Sequence, residues 1–378
     1  LETKKVVVEY DALDKFDQYM DEVGLTGKRA VIYDTNTYNL PTLKHVRADQ
    51  EIVLNAEGLH SEKGMIEDMM RQLDHPDVIV AVGSGTIMDF GRYPAYHLGI
   101  PFVAVPTLAS SDGFTANICS IIIDGQKKSI PMQAAALVVC DLNVVSGAPL
   151  WLTVSGISDI LAKYISLADW KIAHLVSGEY YCPMVADLAQ EALTIMRKAA
   201  DDMAAGGKPD FEAMTMAQMI SGLTMQLLNH SRAASGAEHL MAHLVEMKPP
   251  RFENAHGMHG QCVGVGTYLC AKEYHYLASL PTPKAKPFEP LPRAWVDEKF
   301  GSLADGIMKE NDVLGTFDPQ NIVDHWDEIR AIIAEIPSAE ELAALCEKLG
   351  AFYKPEQIGI DPALSEDMLS VSAAIRNR

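Results

Sequence analysis

Val78-Ile79-Val80-Ala81-Val82-Gly83-Ser84-Gly85-Thr86-Ile87-Met88-Asp89 is the stretch that decides the fold. Its first five residues are apolar and mostly β-branched, with no polar face. That pattern suits a strand covered on both sides, as in a parallel sheet. Two glycines follow, and then a helical run from Thr86 to Leu98. Strand, glycine turn and helix form one half of a βαβ unit.

The same alternation extends outward. Val6–Val8, Ala30–Tyr33, Glu51–Leu54 and Phe102–Val105 read as short strands, with helices over Leu13–Val23 and Met65–Leu73 between them. Ile118–Ile123 and Ala136–Val139 are two further strand candidates, with Asp124-Gly125 as the turn between them. Beyond about Asn143 the texture changes, and Ala, Leu, Met and Glu dominate. Helices are predicted over Val154–Tyr180, Cys182–Met203, Phe211–His230, Gly236–Val245, Gly264–Leu280 and Glu340–Leu349. Pro281–Pro292 holds five prolines and reads as a surface excursion. The expected organisation is an α/β dinucleotide-binding domain over 1–145 and a helical metal- and substrate-binding domain over 146–378, with the ligands meeting between them.

The glycine turn suits a pyrophosphate. Glycines let the backbone come close to it, and the helix start offers unpaired N–H groups. The run departs from G-x-G-x-x-G, because Met88 stands where the third glycine belongs, and no acid lies about 20 residues on. Asp34, at the end of an earlier strand, is the candidate acceptor for the ribose hydroxyls and would favour NAD over NADP. The competing reading makes Thr86 and Asp89 a capping box over an ordinary tight turn. A second loop, Pro106-Thr107-Leu108-Ala109-Ser110-Ser111-Asp112-Gly113, follows the next strand at the same sheet edge.

Composition narrows the function. The chain has 378 residues, 48% apolar, with 31 basic and 51 acidic side chains, giving a net charge of −20. Such a surface argues against nucleic acid or an anionic membrane as partner, and any phosphorylated ligand would need a local cationic pocket. The six dispersed cysteines include no C-x-x-C and suit free thiols in a reducing cytoplasm. No run is read as a membrane span or a secretory leader.

Asp159, His239 and His259 form the candidate metal set. One carboxylate and two imidazoles leave a divalent ion with open positions, as a catalytic site needs. His239 and His243 are four apart on one helix face, as are Asp159 and Lys163. Taken singly, each residue also fits a cap, a surface group or a satisfied core group. His256 competes with His259, and spacing does not separate them.

Several runs together resemble the glycerol-1-phosphate dehydrogenase family. They are Gly83–Asp89, Pro106–Gly113, Ser158-Asp159 with Lys163-Tyr164, Ala168-Asp169-Trp170, Ser231-Arg232-Ala233-Ala234-Ser235-Gly236-Ala237-Glu238-His239 and Met258-His259-Gly260. That family lies in the superfamily of iron-type alcohol dehydrogenases, glycerol dehydrogenase and dehydroquinate synthase. The similarity runs roughly from Ala30 to Ala271. It implies a Rossmann-like parallel-sheet domain followed by an all-α domain. It implies metal binding (Zn, Ni or Fe) by Asp159, His239 and His259. It implies NAD or NADP binding by Gly83, Gly85, Thr86, Ile87, Met88, Asp89, Thr107, Leu108, Ala109 and Ser110, and substrate contact by Asp112 and His243. Two positions depart from the family: Ala116 stands where a cofactor-touching Ser is usual, leaving only a backbone contact, and Ala233 stands where Pro is usual. A homodimer or higher homo-oligomer is also implied.

The expected reaction is reversible hydride transfer between dihydroxyacetone phosphate and sn-glycerol 1-phosphate. Asp112 and His243 would orient hydroxyls and relay the proton. Arg232 is the leading phosphate ligand, with Ser231, Ser235 and Lys163 assisting; the competing reading pairs Arg232 with a nearby acid. The rival activities are glycerol dehydrogenase and a dehydroquinate-synthase-like cyclase, whose first ligand is typically Glu where this chain has Asp159. A catalytically dead scaffold is a third alternative, and the ligand set argues against it.

Overall fold

The computed structural model describes residues 1–311 and 317–376. Residues 312–316 and 377–378, within the expected helical domain, lie outside the described residues.

The apolar runs of the first 141 residues pair into one sheet. Strands β1 (Lys5–Glu9), β2 (Arg29–Asp34), β3 (Gln50–Leu54), β4 (Val78–Gly83), β5 (Phe102–Pro106) and β8 (Leu137–Asp141) are all parallel, in the order β1-β8-β5-β4-β2-β3. Alternate residues feed opposite faces. Ile32, Ile79, Ala81, Phe102 and Ala104 pack with Ile66, Ile87 and Phe90 on one side. Val31, Val80, Val82, Val103 and Val139 pack with Phe16, Tyr19 and Met20 on the other. Hence β4 has no polar face. The helices on the sheet are α1 (Phe16–Glu22), α2 (Thr35–Tyr38), α3 (Lys63–Met70), α4 (Gly85–Leu98) and α5 (Leu142–Ser146). The chain runs from β2 outward to β3 and then back across β2 to β4, so strand order reverses between β2 and β4. A crevice opens there at the carboxyl edge. Continuing the β2–β4 register brings Asp34 level with Gly83, and Gly83 is paired with Pro106.

The expected pairing of Ile118–Ile123 needs correction. Asp124-Gly125 does turn the chain, but into β7 (Gln126–Pro131), which pairs antiparallel with β6 (Ile118–Ile123) in a separate two-stranded sheet. β7 reads Gln-Lys-Lys-Ser-Ile-Pro and is half-exposed, so it lacks the apolar pattern that marks the core strands.

From Leu150 on, the chain is helical among the described residues. The principal helices are α6 (Leu150–Leu161), α7 (Lys163–Ser177), α8 (Pro183–Ala204), α9 (Phe211–Leu228), α10 (Ala237–Met247) and α11 (His259–Ser279). Shorter helices follow: α12 (Arg293–Phe300), α13 (Ala304–Glu310), α14 (Gln320–Asp324), α15 (Trp326–Ile333), α16 (Ala339–Leu349) and α17 (Ser365–Ala373). The single helix predicted over Val154–Tyr180 is divided at Ala162. Contrary to expectation, Leu150–Ser177 is long and apolar enough to cross a membrane by length and composition, but most of it is buried against other helices. Pro281–Pro292 carries no regular structure, as its prolines predict.

Helices α10 and α11 cross at close range. A Cβ on Gly266 would lie 2.5 Å from the Glu238 carbonyl oxygen, which is backbone and cannot yield cheaply. Gly266→Ala is therefore expected to destabilise the protein by about 1–3 kcal/mol in urea denaturation. Gly64→Ala, which meets open space, should stay within about 0.5 kcal/mol of the parent. Equal effects would contradict this packing.

Candidate metal and dinucleotide site

Each metal candidate is set by its helix. Asp159 lies in the last turn of α6, His239 in the first turn of α10, and His259 begins α11. Their ligand atoms all lie within 4.8 Å of one another. Asp159 Oδ1 is 3.2 Å from His239 Nε2 and 3.9 Å from His259 Nε2. Each imidazole turns its Nδ1 to a carboxylate: His239 to Glu238 Oε1 at 2.6 Å, His259 to Glu246 Oε1 at 3.0 Å. Such second partners fix the ring and the tautomer that leaves Nε2 free to bind a cation. The donor set and its orientation thus fit a divalent ion. His256 stays outside the cluster, exposed and turned to the Asn254 carbonyl.

The charges support that reading. Asp159 is 1% exposed. Burial alone would raise its pKa, but the Lys163 ammonium and the His239 bond outweigh it and hold the carboxyl below its usual range. Burial likewise opposes charge on His239, yet its bonds to Asp159 and Glu238 raise it to about 9.

Lys163 is fully buried. Its Nζ donates to the Asp159 carbonyl at 2.9 Å, a group the helix break leaves without an amide, and pairs with Asp112 Oδ2 at 2.8 Å. It therefore ties Asp112 to Asp159, and its charge is engaged by these groups rather than open to the phosphate it is expected to assist. Asp112 also accepts from Ser221 Oγ at 2.7 Å, and its amide donates to Asp159 Oδ2 at 3.2 Å. His243 lies near both ring ligands, with centroids 6.4 Å from His239 and from His259. Burial, reinforced by Arg376, keeps its pKa well below the ordinary value, and among the described residues its buried Nδ1 has no partner.

Of the two readings of Arg232, the structure shows the acid pair. Its guanidinium forks onto Glu179 at 2.9 and 3.0 Å, the acid-pairing arrangement.

At the glycine turn, Ser84 caps α4 with no side-chain hydrogen bond, so the competing reading, a capping box of Thr86 and Asp89, is not formed. The amides at the start of α4 have no carbonyl behind them, as an anion site requires. A Cβ on Gly83 would lie 2.8 Å from Ile87, which explains the glycine. Several residues assigned to the cofactor turn their side chains elsewhere. Ile87 and Met88 lie in the core under the sheet. Asp89 accepts from Ser61 Oγ at 2.8 Å and pairs with Arg92, which in turn holds the Gly113 and Ile118 carbonyls. Ala109 packs against Cys140 and Val145, and Ala116 against Ile118 and Met225. Only their backbone remains for a ligand. Thr107 keeps a buried Oγ1 without a partner, while Leu108 and Ser110 are half-buried. Asp34 caps α2: Oδ1 accepts from the amides of Asn36 and Thr37, and Oδ2 from Thr37 Oγ1 at 2.9 Å. A ribose would have to share these oxygens.

A family model of iron-containing alcohol dehydrogenases matches residues 7–149. The glycerol-1-phosphate dehydrogenase [NAD(P)+] of Geobacillus stearothermophilus is 34% identical over 85% of this chain and 74% of that protein. The chain belongs to the glycerol-1-phosphate dehydrogenase family. The Geobacillus thermodenitrificans member of the family is 30% identical over 99% of this chain and 89% of its own length. A solved structure of a probable glycerol dehydrogenase from Sinorhizobium meliloti shares the fold, with a TM-score of 0.66 at 18% identity over 98% of this chain and 89% of that one. The family thereby fixes an NAD(P)-dependent oxidoreductase of the iron-type alcohol dehydrogenase group.

Glu238 and Glu246 were missed as partners of the ligands, although Glu246 lies seven residues after His239 and so shares its helix face. Glu246→Gln should weaken metal binding about 10- to 100-fold in competition with a chelator, and unchanged affinity would contradict its role. Because His239 carries a proton up to about pH 9 and a ligand must be neutral, metal uptake at pH 7 should release about one proton. Affinity should rise with pH toward 9, which calorimetry in buffers of different ionisation enthalpy measures; a flat profile would contradict it.

Proposed function

We propose that this chain reduces dihydroxyacetone phosphate to sn-glycerol 1-phosphate, reversibly, with NADH or NADPH and one divalent metal ion. The observation that carries the reading is the convergence of Asp159, His239 and His259, each imidazole backed by a carboxylate. The named relatives supply the substrate. We assign the dinucleotide to residues 1–145 and the metal and substrate to 146–378. Zn, Ni or Fe suits the donor set. A homo-oligomer in the cytoplasm completes the proposal.

When bound, the cation supplies Lewis-acid polarisation of the C2 oxygen and the nicotinamide supplies the hydride. The chain's own groups do the rest. Lys163 pairs with Asp112 and lies 4.0 Å from Asp159, so one buried ammonium serves two carboxylates and holds Asp159 in its charged form. Asp112, held by Ser221 and Lys163, is suited to accept a substrate hydroxyl. His243 stays neutral through burial, and its unpaired Nδ1 can hold or pass a proton at the substrate oxygen. The α4 amides at Gly85 and Thr86, with Thr107 Oγ1, suit the pyrophosphate and its neighbourhood.

The test is a substrate panel with NADH and NADPH after chelation and metal add-back. Dihydroxyacetone phosphate should be strongly preferred over dihydroxyacetone, and activity should vanish on chelation and return with metal. Asp159→Asn should lower turnover about 100- to 1000-fold and abolish metal retention. Equal rates on both substrates would favour glycerol dehydrogenase instead.

A further inference from the structure

A phosphate dianion in a chain of net charge −20 needs cations that are not already spent. Near the metal candidates, Lys163 is closed by Asp112 and Asp159, Arg232 by Glu179, and Arg92 by Asp89 and two carbonyls. Among the described residues, Lys127 meets Glu246 alone and Arg376 meets no carboxylate, and both face one cavity of about 550 Å³, within the range of small-molecule sites. Its wall is formed by β7, the residues around Arg232, α13 and the segment that ends at Arg376. Of the four cations that line it, Arg232 is paired with Glu179, Lys128 with Glu310 and Lys127 with Glu246, which leaves Arg376 as the one positive charge in excess among the described residues.

The cavity adjoins the metal candidates. Lys127 Nζ lies 3.1 Å from Glu246 Oε2, while the other oxygen of that carboxylate holds His259 Nδ1. Met247, four residues after His243 on α10, also lines the cavity. One carboxylate thus separates the cavity from the metal candidates, and the phosphorus of a glycerol phosphate is three bonds from its C2.

We propose that this cavity is the subsite for the substrate's phosphate, with Lys127 and Arg376 as its donors. The assignment rests on the dehydrogenase reading above and names the specificity-determining residues for it. Arg376 is held in place by one nitrogen, Nη2, which donates to Ser129 Oγ at 3.0 Å and to the Lys127 carbonyl at 3.4 Å. Among the described residues it makes no ion pair. Burial keeps its pKa below the ordinary arginine range, and Glu310 and Glu246 recover only part, as expected of a cation short of counter-charge. Lys127 has three N–H donors and meets Glu246 as an ion pair in which Oε2 accepts no hydrogen bond among the described residues. A guanidinium fork beside an ammonium is the donor set that phosphate recognition uses.

The experiment compares the wild-type holoenzyme with Lys127→Gln, Arg376→Gln and Lys127→Arg. Steady-state kinetics are measured on dihydroxyacetone phosphate and on dihydroxyacetone, with inorganic phosphate as a competitive inhibitor and with metal content determined. Each Gln variant should raise KM for the phosphorylated substrate about 10- to 100-fold and weaken phosphate inhibition in parallel. For Arg376→Gln, which touches no carboxylate behind a metal candidate, kcat/KM on dihydroxyacetone and metal content should stay near wild type, and Lys127→Arg, which keeps the charge beside Glu246, should retain most of the affinity for the phosphorylated substrate. If the wild type prefers the phosphorylated substrate and neither Gln variant changes its KM, the subsite is elsewhere and the dehydrogenase reading stands. Equal losses on both substrates would make these residues structural and overturn the proposal. A wild type with no preference for the phosphorylated substrate would overturn the functional reading and the subsite with it. Should one Gln variant fail to fold, the other and the phosphate competition decide the question.

Discussion

A carboxylate as deeply buried as Asp159 can stay ionised only if cations surround it, and that requirement organises the centre of this molecule. Lys163 approaches from below, at the break between α6 and α7, and the two imidazoles approach from α10 and α11. Without a metal, a protonated His239 supplies positive charge. A divalent ion would replace that proton with a stronger and better-placed charge. The outer carboxylates, Glu238 and Glu246, balance the imidazoles and fix their rotation. The network continues outward through Lys127 into the cationic cavity. The metal candidates, Asp112 and the proposed phosphate subsite are therefore one electrostatic system.

The scaffold brings its members together by close backbone approach. The Pro106–Gly113 loop runs from the carboxyl edge of β5 to the helices, and a Cβ on Gly156 would lie 2.0 Å from the Ala109 carbonyl oxygen. That proximity lets the Asp112 amide reach Asp159. Arg92 on α4 anchors the same loop through the Gly113 carbonyl, and its own charge is met by Asp89. The glycine turn and the helices that carry the metal candidates are thus mechanically linked through Arg92 and the Pro106–Gly113 loop.

The sequence made the architecture legible wherever burial writes a pattern. β4, with apolar residues on both faces, could only be an inner strand, and the helices from α8 to α10 begin and end within two residues of their predicted limits. β7 was not legible, because a strand with half-exposed lysines is defined by its partner β6 and not by its own periodicity. The break at Ala162 was hidden for a similar reason: the Lys163 ammonium that compensates it acts through space. In the site, the metal candidates were readable as residue types at plausible spacing, whereas Arg232 could not be separated from its acid partner 53 residues away. Asp89 likewise looked like part of the turn, although its face of α4 is turned to the core. Arg376 and the backbone it grips on β7 are 249 residues apart, a separation no local pattern can bridge.

The central claim is that one cation is held by three side chains from three helices. Anomalous diffraction from crystals of the metal-loaded protein, recorded on both sides of the metal absorption edge, tests it most directly. The account predicts a single strong peak bounded by the Asp159 carboxylate and the Nε2 atoms of His239 and His259. A peak elsewhere in the chain, or none between these groups in protein that holds stoichiometric metal, would contradict it.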